Sequence, residues 1–173
     1  MKNLKKNIWT ILTIIWSILV VTQIVLSFFF YKDYFPIAEY FGWGLILISA
    51  VFGILPIITF QIKGKVEKGK SYMSTTKIVT HGIYSILRHP QYMAGIHINI
   101  GLILISQHWL IIIIGVLAII FSYFDALRAD RELILKFGSE YSNYIKKVPR
   151  LNFIAGIIRL TKRKKVTNTG WGQ

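Results

Sequence analysis

The sequence contains no cysteine. Disulfides, thiolate metal sites and cysteine nucleophiles are therefore excluded, and cysteine usage says nothing about the redox compartment. Acidic residues are also scarce, seven against 21 Lys and Arg. Charged residues of both signs make up only 16% of the chain, where a soluble domain carries about a quarter. There is no Walker loop, no strand followed by GxGxxG and no GxSxG elbow. A nucleotide-like cofactor, if one binds, does not sit in a Rossmann crevice. The four histidines are scattered without ligand spacing, so no metal centre is expected. His97 and His108, isolated on apolar stretches, read as packed or interfacial side chains.

Hydrophobic length is what the chain does have. Apolar residues make up 54% of 173 positions, a length that suits one domain. No Asp, Glu, Lys or Arg occurs from Ile8 to Tyr31, from Tyr40 to Ile62, or from Gln91 to Phe124. Crossing a hydrocarbon core of about 30 Å takes about 20 apolar residues in a helix. The first run follows Lys2, Lys5 and Lys6 as a signal peptide would, but it is longer than a signal h-region and ends in bulky aromatics at Phe28–Tyr31, so a retained helix is expected. The third run is too long for one crossing and slightly short for two. Its polar centre, Gln107-His108, suits a tight turn. A hairpin there returns the eleven basic residues after position 125 to the side of the other Lys and Arg, as the positive-inside bias requires.

The expectation is thus an all-α integral membrane protein, a single membrane domain over 1–173 with four transmembrane helices, the last two a tight hairpin, and cytoplasmic amphipathic helices after them. Helix one covers 8–30 and helix two 40–62, the latter kinked at Pro56. A cytoplasmic loop over 63–91 follows, then helix three over 92–106, and helix four with its extension over 109–137. Gly138 is the expected C-cap, before a C-terminal helix over 139–147. Residues 153–160 read as an interfacial segment, 161–173 as a basic tail, and the last seven residues as unstructured. Twenty of the 21 basic residues fall on one side of this arrangement, Lys32 being the exception. The net charge of +14 is accordingly read as topology and contact with anionic lipid head groups, with no nucleic-acid partner. The chain is expected to be a multi-pass protein of a plasma or internal membrane, both termini cytoplasmic.

Two clusters can carry chemistry. The first is the end of the central loop, Thr80 to Gly95, which gathers two His, one Arg, two Tyr and two Gly before a membrane helix. Pro90 suits the first helical turn, whose amides favour anions. Arg88 can grip a carboxylate or phosphate at two points, and His89 can relay a proton near neutral pH. The plainer reading is a juxtamembrane loop whose Arg and His meet lipid phosphates. The second cluster is Asp125, Arg128, Asp130, Arg131 and Glu132. Glu132 has Arg128 four residues before it and Lys136 four after, an ion-pair spacing. Asp130 lies in line with Leu127, Ile134 and Phe137, and a carboxylate on an apolar stripe is costly unless paired or functional. Its plainer role is a buried partner for Arg88 or Arg128. Asp125 is a lesser candidate.

The pattern Thr80-x-Gly82-x-Tyr84-x3-Arg88-His89-Pro90-x-Tyr92-x2-Gly95, followed by two apolar helices and then Arg128-x-Asp130-x2-Leu133-x3-Phe137-Gly138-x2-Tyr141-x2-Tyr144-x3-Val148-Pro149-Arg150, resembles the isoprenylcysteine carboxyl methyltransferase family. That family belongs to a wider superfamily with the membrane phospholipid methyltransferases and the sterol reductases. The resemblance covers about residues 78–151. It implies a methyltransferase with an S-adenosylmethionine site at the cytoplasmic membrane surface and a lipophilic small-molecule or lipid acceptor. His81, Gly82, Tyr84, Arg88, His89, Tyr92, Gly95, Tyr141 and Tyr144 would line the cofactor pocket, with Asp130, Arg88 and His89 as the catalytic residues. Where the family has an acidic pair, this chain has Ala129 and the shorter Asp130, which weakens the case for a prenylcysteine acceptor. Two other readings stand beside this one: an NADPH-dependent lipid or sterol-type reductase, and a non-catalytic lipid-binding membrane protein.

Overall fold

A computed structural model describes residues 2–32, 34–63 and 77–169. These residues form six α-helices and one short 3-10 turn: α1 (Lys2–Phe29), α2 (Pro36–Lys63), the turn Gly82–Ser85, α3 (Pro90–Ser106), α4 (Trp109–Phe137), α5 (Ser139–Lys147) and α6 (Phe153–Thr169). No strand occurs among the described residues. Of the expected loop over 63–91, residues 64–76 lie outside them, as do the last four residues.

Three helical stretches, Thr10–Phe29, Pro36–Ile62 and Trp109–Phe137, are long and apolar enough to cross a membrane. Their apolar side chains face outward: Ile18, Val21 and Phe28 on α1 and Leu47 on α2 are all exposed, while Gln23, Asn99 and Ser122 are fully buried. Polar inside and apolar outside is the reverse of a water-soluble core, and it is what a hydrocarbon solvent selects. The chain is an all-helical membrane protein. The fourth expected crossing differs in length. With 17 residues, α3 rises about 25 Å, short of a core of about 30 Å.

Contact between residues divides the chain into two compact units, Met1–Phe52 with Gln91–Arg131, and Gly53–Pro90 with Glu132–Gln173. In the first unit α2 and α3 meet at Gly42 and Gly101, where a Cβ on either glycine would lie within 3 Å of the other's carbonyl oxygen; such contacts let membrane helices approach closely. The turn between α3 and α4 falls at Gln107-His108, as the distribution of charge leads one to expect. Gln107 takes a positive φ of 50°, uncommon for a non-glycine residue. Its side-chain amide secures that conformation, accepting from Phe35 N–H at 2.8 Å and donating to Phe35 C=O at 2.9 Å. Lys32 N–H bonds the Ser106 carbonyl at 2.9 Å, and the Ser106 hydroxyl bonds the carbonyl of Phe30. His108 accepts from Leu110 N–H at the start of α4, and its ring packs against Phe30 and Trp109. His97 bonds back to Met93 C=O and stacks on Phe52. Both histidines are packed residues.

In the second unit a small core of Tyr141, Tyr144 and Val148 gathers Ile78, Leu133, Phe137 and Ile145. Gly138 ends α4 with φ 57°, and its N–H bonds the Ile134 carbonyl at 2.8 Å, the cap expected of it. The C-terminal segment departs from expectation. Segment 153–160 and the basic run after it form one helix, α6, that reaches Thr169, so the last seven residues, expected to be unstructured, begin in helix and leave the described residues at 170. Asn152 starts it, its side-chain oxygen accepting from Ala155 N–H at 2.9 Å as an N-cap does. Lys and Arg are good helix formers, so the basic run continues the helix.

Candidate functional site

The expected site residues divide between the two units. His81, Gly82, Tyr84, Arg88, His89, Tyr141 and Tyr144 belong to the second, while Tyr92, Gly95 and Asp130 belong to the first.

Within the second unit, Thr80–Pro90 is a tightly fixed segment. Gly82 opens the 3-10 turn with φ 60°, and a Cβ there would press on Thr59 Oγ1 at 3.1 Å. Glycine is the residue that permits both. The Ser85 hydroxyl bonds back to Gly82 C=O at 2.7 Å. After the turn, Leu87, Arg88 and His89 are all buried, Arg88 at 9% exposure. Their main chain is held from a distant part of the sequence: Arg88 N–H bonds Pro149 C=O at 3.1 Å, and His89 N–H bonds Arg150 C=O at 3.3 Å. Tyr144 adds a third tie by donating its hydroxyl to Tyr84 C=O at 2.6 Å. Tyr84 also sets its ring edge-on to Phe60 at 5.0 Å, and Tyr141 packs beside Tyr144 at 5.6 Å. The unit thus ties the stretch Tyr84–His89 to the stretch Tyr144–Arg150 by three hydrogen bonds. His81 is exposed beside Thr80. A buried guanidinium on a segment fixed by its own backbone can present its charge without reorganising.

Within the first unit, the inward face of α4 carries Ile111, Gly115, Ala118, Ser122, Asp125, Ala126 and Asp130. Asp130, at 3% exposure, is therefore on the line of Ala126 and Ser122. The stripe expected for it is not the buried one, since Ile134 is exposed; steps of three and four leave two neighbouring faces open, and packing chose the small-residue face. Asp125, also 3% exposed, accepts from the Thr13 hydroxyl at 3.1 Å and meets Arg128 at 3.5 Å. Arg128 in turn donates to Thr13 at 2.6 Å. Reading the sequence missed Thr13 altogether. It sits 112 positions from its partner on an apolar helix, and no local signal marks it. Tyr92 lies 6.3 Å from Trp16, ring to ring, and a Cβ at Gly95 would meet that same indole at 3.5 Å, an ordinary contact.

The sequence profile of a family described as phospholipid methyltransferase matches residues 37–134, more than half of the chain. No characterised protein and no solved structure matches it. The profile names one of the sister groups in the superfamily that the Arg-His-Pro pattern points to. The isoprenylcysteine group itself is not what it names.

Proposed function

Since the chain belongs to the phospholipid methyltransferase family, we propose that it moves a methyl group from S-adenosylmethionine to a lipophilic acceptor at the cytoplasmic face of a membrane. The observation that carries this reading is the buried Arg88-His89 segment, pinned by main-chain bonds to Pro149 and Arg150, in a chain with that family's profile.

The donor set suits the cofactor. Arg88 is a buried cation fit for a methionine carboxylate, which a guanidinium holds in two-point fashion. Tyr84, Tyr141 and Tyr144 are buried aromatic side chains of the kind that line small-molecule sites. When bound, the cofactor supplies an electrophilic methyl group on a sulfonium. The chain's own work is then positional: Arg88 and His89 fix one end, Gly82 lets the backbone approach, and Asp130 orients the acceptor. Holding nucleophile and methyl in line is worth several kcal/mol. A phospholipid amine must lose its proton before it attacks, and Asp130 or His89 is the base in this reading. A prenylcysteine-like carboxylate would arrive ionised and need no base. The family's description and the loss of the first acidic position at Ala129 both favour the amine.

Purified protein supplied with methyl-labelled S-adenosylmethionine and total lipid extract is the test. Label should enter the lipid phase and fall by about a hundredfold in Arg88→Ala and Asp130→Ala, the scale of a misplaced reacting group. Full activity in both variants would remove these residues from the site. Binding of NADPH without binding of S-adenosylhomocysteine would replace the reading with that of a reductase.

A further inference from the structure

The second unit contains a cavity of about 370 Å³ that the proposed cofactor residues leave almost untouched; of them, only Tyr144 lines it. Its walls come from three stretches of chain. Glu140, Asn143, Tyr144 and Lys147 line it from α5, at steps of three and four that place them on one helical face. Arg163 comes from α6 and Thr80 from the segment ahead of the 3-10 turn. Arg163 is held in place by donating to Ser85 C=O at 2.8 Å and to Arg159 C=O at 3.3 Å.

We infer that this cavity is an accessory site for the head group of an anionic phospholipid, a phosphodiester whose far end carries hydroxyls. The charges select that chemistry. Lys147 and Arg163 are two cations suited to one phosphate. Glu140 is a carboxylate, acceptor-only when ionised, and it asks for a donor from the ligand. The lining carries a net charge of +1, from two cations and one anion. A glycerol-type phosphodiester of charge −1 neutralises it and offers hydroxyls to Glu140, Asn143 and Thr80. A zwitterionic head group would leave the surplus charge in place, and choline offers no N–H or O–H donor at all. A second feature brings such lipids within reach. On α6, Ile154, Ile157 and Ile158 are exposed on one face, at 72%, 42% and 50%, next to exposed Arg159 and Lys162. An apolar stripe edged by cations is the pattern of a helix lying in a membrane interface. Sequence composition agrees, with nine Lys and Arg against two Glu between residues 132 and 173.

The test needs no methyl transfer. The full chain in detergent is equilibrated with equimolar phosphatidylcholine, phosphatidylethanolamine and phosphatidylglycerol, washed, and its retained lipid identified by mass spectrometry. Phosphatidylglycerol should be retained over phosphatidylcholine, while retained phosphatidylethanolamine reports on the proposed methyl-transfer site. Lys147→Gln, at an exposed position whose loss spares the core, should lower that retention about tenfold, the scale of one charge-assisted bond. Arg163→Gln should do the same, although it also gives up the Ser85 bond, so Lys147→Gln is the deciding variant. Lys162→Gln, on α6 but outside the cavity, should retain lipid as the wild type does. An equal loss in Lys162→Gln would mean diffuse attraction to a basic helix and would overturn the site. So would phosphatidylglycerol retention that Lys147→Gln leaves unchanged. Competition with soluble glycerol 3-phosphate separates the sources: displacement of bound phosphatidylglycerol confirms the shared head-group chemistry, while binding of the soluble phosphate with no lipid retained overturns the lipid assignment.

Discussion

The hydroxyl of Tyr144 reaches the main-chain carbonyl of Tyr84 at 2.6 Å, joining positions 60 residues apart. Tyr144→Phe keeps the ring in its core and removes only that bond, leaving a buried carbonyl short of a partner. The variant should lose about 1–3 kcal/mol of stability, read as a lower unfolding temperature in detergent. If the Thr80–Pro90 segment holds the cofactor, the Michaelis constant for S-adenosylmethionine should rise more than the turnover number falls. An unfolding temperature equal to the wild type's would show that the bond does not tie the segment down.

Thr13 serves Asp125 and Arg128 at once. Thr13→Val is nearly isosteric and deprives both charged groups of the hydroxyl, at a cost of about 1–3 kcal/mol. Thr13→Ser should keep most of the stability. Equal denaturation midpoints for the Val and Ser variants would show that the hydroxyl contributes nothing.

The absence of cysteine makes sidedness directly measurable. Single cysteines at Lys77 and Lys146, both exposed, should react with an impermeant maleimide from the same side of sealed vesicles. A cysteine at Tyr34, exposed in the α1–α2 connection, should react from the other. Labelling of the Lys77 and Lys146 positions from opposite sides would leave the proposed methyl-transfer site without a common face.

Gly156 on α6 packs so tightly that a Cβ would overlap the carbonyl of Ile86. Gly156→Val should push α6 away and expose the bonds after Lys162 and Arg163 to trypsin. Gly44→Val, where a Cβ meets nothing within 4 Å, is the control and should be cut at the wild-type rate.

What could be read in the sequence was what charge and local chain geometry govern. Uncharged runs mark α1, α2 and the α3–α4 pair, and the surplus of Lys and Arg after position 125 argues for the turn at Gln107-His108. Gly138 is legible because a helix end needs a residue that accepts positive φ. The contacts that organise the candidate site are of another kind. Arg88 and His89 pair through main-chain atoms with Pro149 and Arg150, and a backbone bond leaves no trace in residue type. The buried face of α4 is legible only in part, since Asp130 can share a line with Leu127 and Ile134 or with Ala126 and Ser122. Choosing between them depends on which face finds small neighbours on other helices. Asn99 and Gln23 are invisible for a related reason. In a long apolar run a lone amide reads as noise, although the Gln23 side chain donates to the main-chain carbonyl of Asn99 at 3.1 Å in the buried interior, and the Asn99 side chain donates to that of Gly95 at 2.7 Å.

The latch at Gln107 is made entirely of uncharged amides, hydroxyls and carbonyls, whereas α4 carries an ionic contact at Asp125 and Arg128, about 24 Å further along its axis. Dissolved ions screen exposed ion pairs strongly and buried ones much less, and Asp125 is only 3% exposed. Both ends of this helical hairpin are therefore largely deaf to ionic strength, so changing salt would leave the packing of the first unit as it is.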